Sequence, residues 1–109
     1  MAEQNDFTDI TKAISRRIIA RLKARKYHYV CVSGLSCPRI DVSTAVSRMT
    51  IVVWSDEIIC CDDISQRETK FIPYEAADPD FDPQDAINQL INIVKSYRRN
   101  AWYAKKRRV

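Results

Sequence analysis

The side chains with the clearest chemical potential are one histidine and four cysteines. His28 and Cys31 have the spacing of half a zinc motif, Cys37 stands alone, and Cys60 and Cys61 are adjacent. Structural zinc sites usually need two closely spaced ligand pairs, and adjacent residues of a strand point to opposite faces. The pattern therefore favours free thiols over a zinc site. It also gives no third group to orient a Cys–His nucleophile.

A second candidate for metal chemistry is the alternation of Asp78, Asp80 and Asp82. Alternate carboxylates begin calcium-binding loops, but the complete pattern also needs a glycine at its sixth position and a glutamate at its twelfth. Pro83 and Gln89 occupy those positions. The aspartates favour a solvated loop that caps the next helix, and we predict neither a metal nor a cofactor.

Glycine and histidine are scarce, with one residue of each in 109. Phosphate-binding loops of nucleotide enzymes need several glycines for close backbone approach. No spacing in the chain assembles a nucleophile, a base and an oxyanion site. The sequence therefore predicts a binding protein and not an enzyme.

Basic residues give the strongest signal. Fourteen of the 18 lie within residues 12–26 and 95–108, and the second group is interleaved with aromatic residues. Cations neutralise phosphates and flat rings stack on unpaired bases, so this pattern favours nucleic acid as the partner. The predicted contact residues are Arg16, Lys23, Arg98, Arg99, Trp102, Tyr103, Lys105, Lys106, Arg107 and Arg108.

Acidic residues dominate the middle of the chain and support an alternative. Residues 41–85 carry 11 acidic and 3 basic side chains. A protein–protein inhibitor or adaptor, of the phage or mobile-element type that blocks host defence, would place such a surface in the basic groove of a nucleic-acid-handling protein. The partner-binding residues would then be Asp78, Asp80, Asp82 and Asp85. The two hypotheses predict opposite sensitive surfaces.

Two amphipathic helices are predicted to position the basic residues. Ile10, Ile14, Ile18 and Leu22 recur at helical steps and predict a helix from about residue 8 to 26. The final helix is predicted to start at Asp82-Pro83, with aspartate as the N-cap, and to end near residue 104. Its predicted buried stripe is Ile87, Leu90, Ile91, Val94, Tyr97 and Ala101.

Between the helices, β-branched and aromatic runs predict strands at residues 27–33, 49–54, 57–62 and 69–74. Pro38 interrupts residues 34–48, for which we predict a loop with one helical turn. These elements predict a small α+β domain with a three- to four-stranded, mostly antiparallel sheet and both helices on one face. The edges of such a sheet also allow a homodimer through strand pairing, with the apolar run Ile51–Trp54 as the candidate.

The overall composition fits one domain over residues 1–109, with a basic extension at residues 105–109. Hydrophobic residues make up 46% and charged residues 29%, values of an ordinary globular protein. No apolar run approaches the roughly 20 residues of a membrane span, and the start MAEQNDFTD is too polar for a secretory signal. We expect no membrane partner and a cytoplasmic location, or a nuclear one in a eukaryotic or viral setting.

Overall fold

The computed structural model describes residues 2–32, 37–45, 47–63, 69–75 and 80–107. Within these ranges, one helix precedes and one helix follows five strands along the chain. The elements are α1 (Ala2–Ala24), β1 (His28–Val32), β2 (Arg39–Ser43), β3 (Arg48–Val53), β4 (Glu57–Asp62), β5 (Thr69–Pro73) and α2 (Pro83–Arg107). The α+β class is confirmed, but the sheet has five strands instead of three or four.

The additional strand, β2, lies in the segment 34–48, so the predicted loop with a helical turn was wrong. Ile40 and Val42 alternate with polar residues and are buried. Pro38 obscured this alternation, because proline usually interrupts a strand. Here proline precedes the strand, and its carbonyl accepts the Val53 N–H at 3.0 Å.

The five strands form an antiparallel meander in which each strand pairs with its neighbours in sequence. The register aligns Ile40, Ile51 and Cys60 in one row across the sheet, and all three are buried. The apolar run Ile51–Trp54 belongs largely to β3, which pairs with β2 and β4. That run is therefore not an edge, and its predicted role in a dimer was wrong.

Both helices pack against the same side of the sheet and share one hydrophobic core with it. From α1 the core takes Ile14, Ile18 and Leu22, and from α2 it takes the predicted stripe, whose six residues are all buried. The Tyr97 hydroxyl reaches across this core and donates to the Cys60 carbonyl at 3.5 Å. The other side of the sheet, which we term the open face, is not covered by either helix.

Helix α2 begins where the sequence predicts, because Asp82 Oδ1 accepts the Gln84 N–H at 2.9 Å and caps the first turn. It continues to Arg107, so the backbone of residues 105–107 is helical where we predicted an extension. Neither of the described helices has the length and apolar character that a membrane crossing requires.

The burial of the two adjacent cysteines on β4 gives a direct test of the strand register. Cys60 is buried among core residues, and this burial raises the pKa of its thiol to about 12. Cys61 lies on the open face, as strand alternation requires. Because the thiolate is the reactive form, we expect a disulfide reagent at about pH 8 to modify Cys61 in the native protein and Cys60 only after denaturation.

Matched variants identify each thiol in this experiment. Cys61→Ser should lower by one the number of thiols that react in the native protein. Cys60→Ala should leave that number unchanged and should lower only the number that react after denaturation. The opposite pattern would mean that β4 is shifted by one residue.

Candidate functional site

Basic and aromatic side chains line one open cleft where the end of α1 meets the C-terminal half of α2. The cleft has a volume of about 390 Å³. We term it the basic cleft, and its described lining consists of Arg25, Tyr27, Lys95, Arg98, Arg99, Trp102 and Tyr103. It brings together four of the predicted nucleic-acid contacts and adds Arg25, Tyr27 and Lys95.

A Schellman motif at the end of α1 places Arg25 and Tyr27 in the basic cleft. The Tyr27 N–H donates to the Leu22 carbonyl at 3.0 Å, and the Lys26 N–H donates to the Lys23 carbonyl at 3.0 Å. This motif needs a residue in the left-handed conformation, and Lys26 has a φ of 61°. The chain therefore turns sharply after α1 and enters β1 beside the exposed side of α2.

Helical spacing places the remaining side chains of the cleft. Lys95, Arg98 and Trp102 follow steps of three and four residues, so they share one side of α2. Tyr97 and Ala101 come one position before Arg98 and Trp102, so they lie about 100° further around the helix, where they are buried. Packing of α2 on the sheet therefore determines which cations and rings face the solvent.

Cation–ring contacts order side chains of the cleft, and one of them comes from Lys106, outside its described lining. The Arg98 guanidinium carbon lies 5.7 Å from the Tyr27 ring centroid, and Lys106 Nζ lies 4.6 Å from that of Trp102. The Trp102 and Tyr103 rings meet edge to face at 5.2 Å. Each cation–ring contact contributes about 0.5–1 kcal/mol at an exposed site. Trp102 is still 47% exposed, and Tyr103 is half-exposed, so both rings retain surface for a ligand.

A second cavity of about 290 Å³ adjoins the basic cleft and shares Arg25, Tyr27 and Arg98 with it. Its other described lining residues are Lys26, His28, Ser43, Thr44 and Ala45. The shared residues connect the two cavities, so the basic surface continues from α2 to the start of β1 and the end of β2.

Two predicted contacts on α1, Arg16 and Lys23, are exposed but lie outside the described lining of the basic cleft. By helical geometry they lie roughly 150° around α1 from Arg21. Arg21 marks the side of α1 that faces α2, because its Nη1 donates to Asn88 Oδ1 at 2.8 Å. Ligand contact by Arg16 and Lys23 stays a prediction for a separate surface. The side chains of Lys105, Arg107 and Arg108 lie outside the described part of the chain.

The predicted acidic surface lies at the opposite end of α2. Asp80, Asp82 and Asp85 are exposed there, and Asp78 lies outside the described residues. Fourteen residues of helix separate Asp85 from Arg99, about 21 Å along the axis. Charge interactions are screened over about 8 Å at physiological ionic strength, so the acidic surface does not cancel the potential of the basic cleft.

The histidine and the cysteines do not converge on a site. His28 and Cys31 are three residues apart on β1, so strand alternation places them on opposite faces. Among the residues that the structure describes, no group of three or more His, Cys, Asp or Glu side chains could hold a metal ion.

No protein-family model, curated protein or solved structure matches the chain. Its site is therefore interpreted from the chemistry of its own residues.

Sequence reasoning missed three residues of the cleft as contacts. Lys95 was detectable, since it precedes Arg98 by three residues and Trp102 by seven on one helix. Arg25 and Tyr27 reach the cleft through the turn that ends α1 and the packing of α1 beside α2. No local pattern in the sequence predicts that contact.

The unusual conformation of Lys26 provides a stability test of the turn that shapes the cleft. Glycine adopts a positive φ without the steric cost that a side chain imposes. We expect Lys26→Gly to raise the free energy of unfolding in urea by roughly 0.5–1 kcal/mol. Lys26→Ala is the matched control, because it removes the charge but keeps Cβ, and it should change stability little. Equal stabilisation by both variants would contradict the Schellman geometry.

Proposed function

We propose that this chain is a non-catalytic protein that binds single-stranded nucleic acid in the basic cleft. The observation that carries the proposal is the chemistry of the cleft, whose described lining is entirely basic or aromatic. Exposed aromatic rings beside cations are the arrangement with which proteins bind unpaired nucleotides.

The cations supply attraction to phosphate. Arg25, Lys95, Arg98 and Arg99 bring four positive charges to one cleft. The C-terminal end of a helix is the negative end of its dipole, so the side chains, and not the backbone of α2, must attract the anion. Neutralising four phosphates of a single strand would give a salt slope of about −3 in a plot of log K against log salt concentration.

The aromatic rings favour a single strand over a duplex. Trp102 and Tyr103 keep about half of their surface exposed, and a base can stack on such a surface only when its own face is free. Stacking within a duplex covers both faces of every internal base. The cleft volume of about 390 Å³ also lies at the small end of the range for ligand pockets, which suits a nucleotide better than a double helix.

A binding role agrees with the burial of Cys60 and with the side chains that line the cleft. Cys60 is buried and its thiol pKa is raised to about 12 by that burial, so it is a poor nucleophile near neutral pH. The described lining of the basic cleft contains Arg, Lys, Tyr and Trp side chains, which suit recognition of an anion. The alternative of a protein partner on the acidic surface predicts that Asp80 and Asp85 matter and that the basic cleft does not.

Two tryptophans of nearly equal exposure allow a matched test of the proposal. Trp102 is 47% exposed inside the cleft, and Trp54 is 45% exposed after β3, outside the described lining of the cleft. We expect Trp102→Ala to weaken binding of a labelled oligothymidine of about 10 nucleotides by roughly 5- to 150-fold, because it removes a stacking surface. Trp54→Ala should bind like the unaltered protein. Fluorescence anisotropy at low salt measures both affinities.

Several outcomes of the anisotropy experiment would contradict the proposal. They are the absence of binding at low salt, an equal loss of affinity in both variants, and an affinity for a blunt DNA duplex as high as that for the single strand. Binding that does not weaken between about 50 and 200 mM salt would also exclude the proposed phosphate contacts.

A further inference from the structure

The two edge strands of the sheet, β1 and β5, are built differently. An edge strand presents unpaired backbone groups, and proteins commonly protect it with proline or with a charged residue that points toward the core side. On β5, Pro73 lacks an N–H, and Lys70 lies opposite Cys60 in a row of the helix-covered side. Both devices oppose the addition of another strand to β5.

Strand β1 has neither form of protection. Its five residues, HYVCV, include neither proline nor a permanently charged side chain. Val30 is 65% exposed on the open face, and it lies opposite Asp41 of β2. The residues of β1 are thus those of a strand that pairs on both sides.

The core also stops short of β1. Cys31 extends the row formed by Ile40, Ile51 and Cys60, which are all buried, yet Cys31 itself is exposed. The described part of the helix layer therefore does not cover Cys31 on the helix side of β1, and Val30 is exposed on the open face. A further strand beside β1 would extend the sheet on both of these faces.

We propose that β1 pairs with β1 of a second copy of this chain, antiparallel and about a two-fold axis at Val30, to form a ten-stranded sheet. This register places Val30 opposite Val30 of the second copy, Tyr29 opposite its Cys31, and His28 opposite its Val32. The surface is self-complementary, as a two-fold interface requires, and it sets no like charges opposite each other.

The chemistry of β1 makes a second copy the fitting occupant. Val30, Tyr29 and Cys31 offer apolar cross-strand pairs to the same residues in reverse order, whereas a peptide partner would need its own matching pattern. A five-residue ladder is a small interface, below about 1,200 Å², so we expect a weak dimer that dissociates at micromolar concentrations.

Two edge variants at positions of similar exposure test the proposal by sedimentation velocity. Val30→Lys places two ammonium groups opposite each other at the two-fold axis, and we expect it to raise the dissociation constant by at least about tenfold. Phe71→Lys is the matched control, since Phe71 is 59% exposed on the same face but lies on β5. It should leave the dissociation constant unchanged.

The conditions exclude association through a shared nucleic acid. Nuclease-treated protein is studied at about 0.5 M salt, where phosphate contacts are weakened, over concentrations from about 1 to 300 µM, which bracket the expected transition. An unaltered protein that stays monomeric throughout would overturn the proposal. Equal effects of the two variants, or a larger effect of Phe71→Lys, would overturn it as well.

A measurement on the unaltered protein keeps the proposal testable if Val30→Lys does not fold. Pairing of the free edge should slow hydrogen exchange at the amides of Tyr29 and Cys31, which face away from β2, as the protein concentration rises. Exchange of residues 69–72 on β5 should not depend on concentration. Concentration-independent exchange in β1 would overturn the proposed pairing.

Discussion

The basic cleft depends on the burial of both helices against one side of the same sheet. Leu22 is buried in the last turn of α1, and Tyr97 is buried in α2. Because these residues enter one core, the turn that follows Leu22 lies next to the exposed side of α2. Tyr27 then reaches Arg98, and the cleft forms at that contact. Apolar packing, which carries no information about a ligand, thereby assembles four cations and three rings.

Acidic and basic residues lie at opposite ends of α2, so far apart that their charges scarcely interact in physiological salt. Asp82 and Asp85 stabilise the first turn, where the helix dipole is positive, and Lys106 lies in the last turns, where it is negative. The same residues that complement the dipole give α2 an acidic start and a basic end. A helix of 25 residues is about 37 Å long, several times the screening length in physiological salt. The protein can therefore present a local basic surface although its net charge is only +4.

The sequence was sufficient wherever the determining interactions are local. The N-cap at Asp82 and the periodic stripe of α2 predicted that helix. The predicted strands 49–54 and 57–62 left two residues for the turn between β3 and β4, where the Trp54 N–H donates to the Glu57 carbonyl. Strand β2 was missed because Pro38, directly before it, outweighed an alternation of only five residues. The position of Lys26 at a positive φ was also missed, because glycine is the usual signal for such a turn. Tertiary packing, and not local pattern, brings Arg25 and Tyr27 to the cleft.

The most direct test of the central claim is a map of the ligand contact on the protein in solution. A single-stranded oligothymidine would be titrated into isotopically labelled protein while backbone amides and the two indole N–H signals are followed by NMR. The account predicts shifts for the Trp102 indole and for amides of residues 25–27 and 95–103, reversed by added salt, with the Trp54 indole unchanged. Shifts confined to the acidic start of α2 or to the open face of the sheet, or no shifts at low salt, would contradict it.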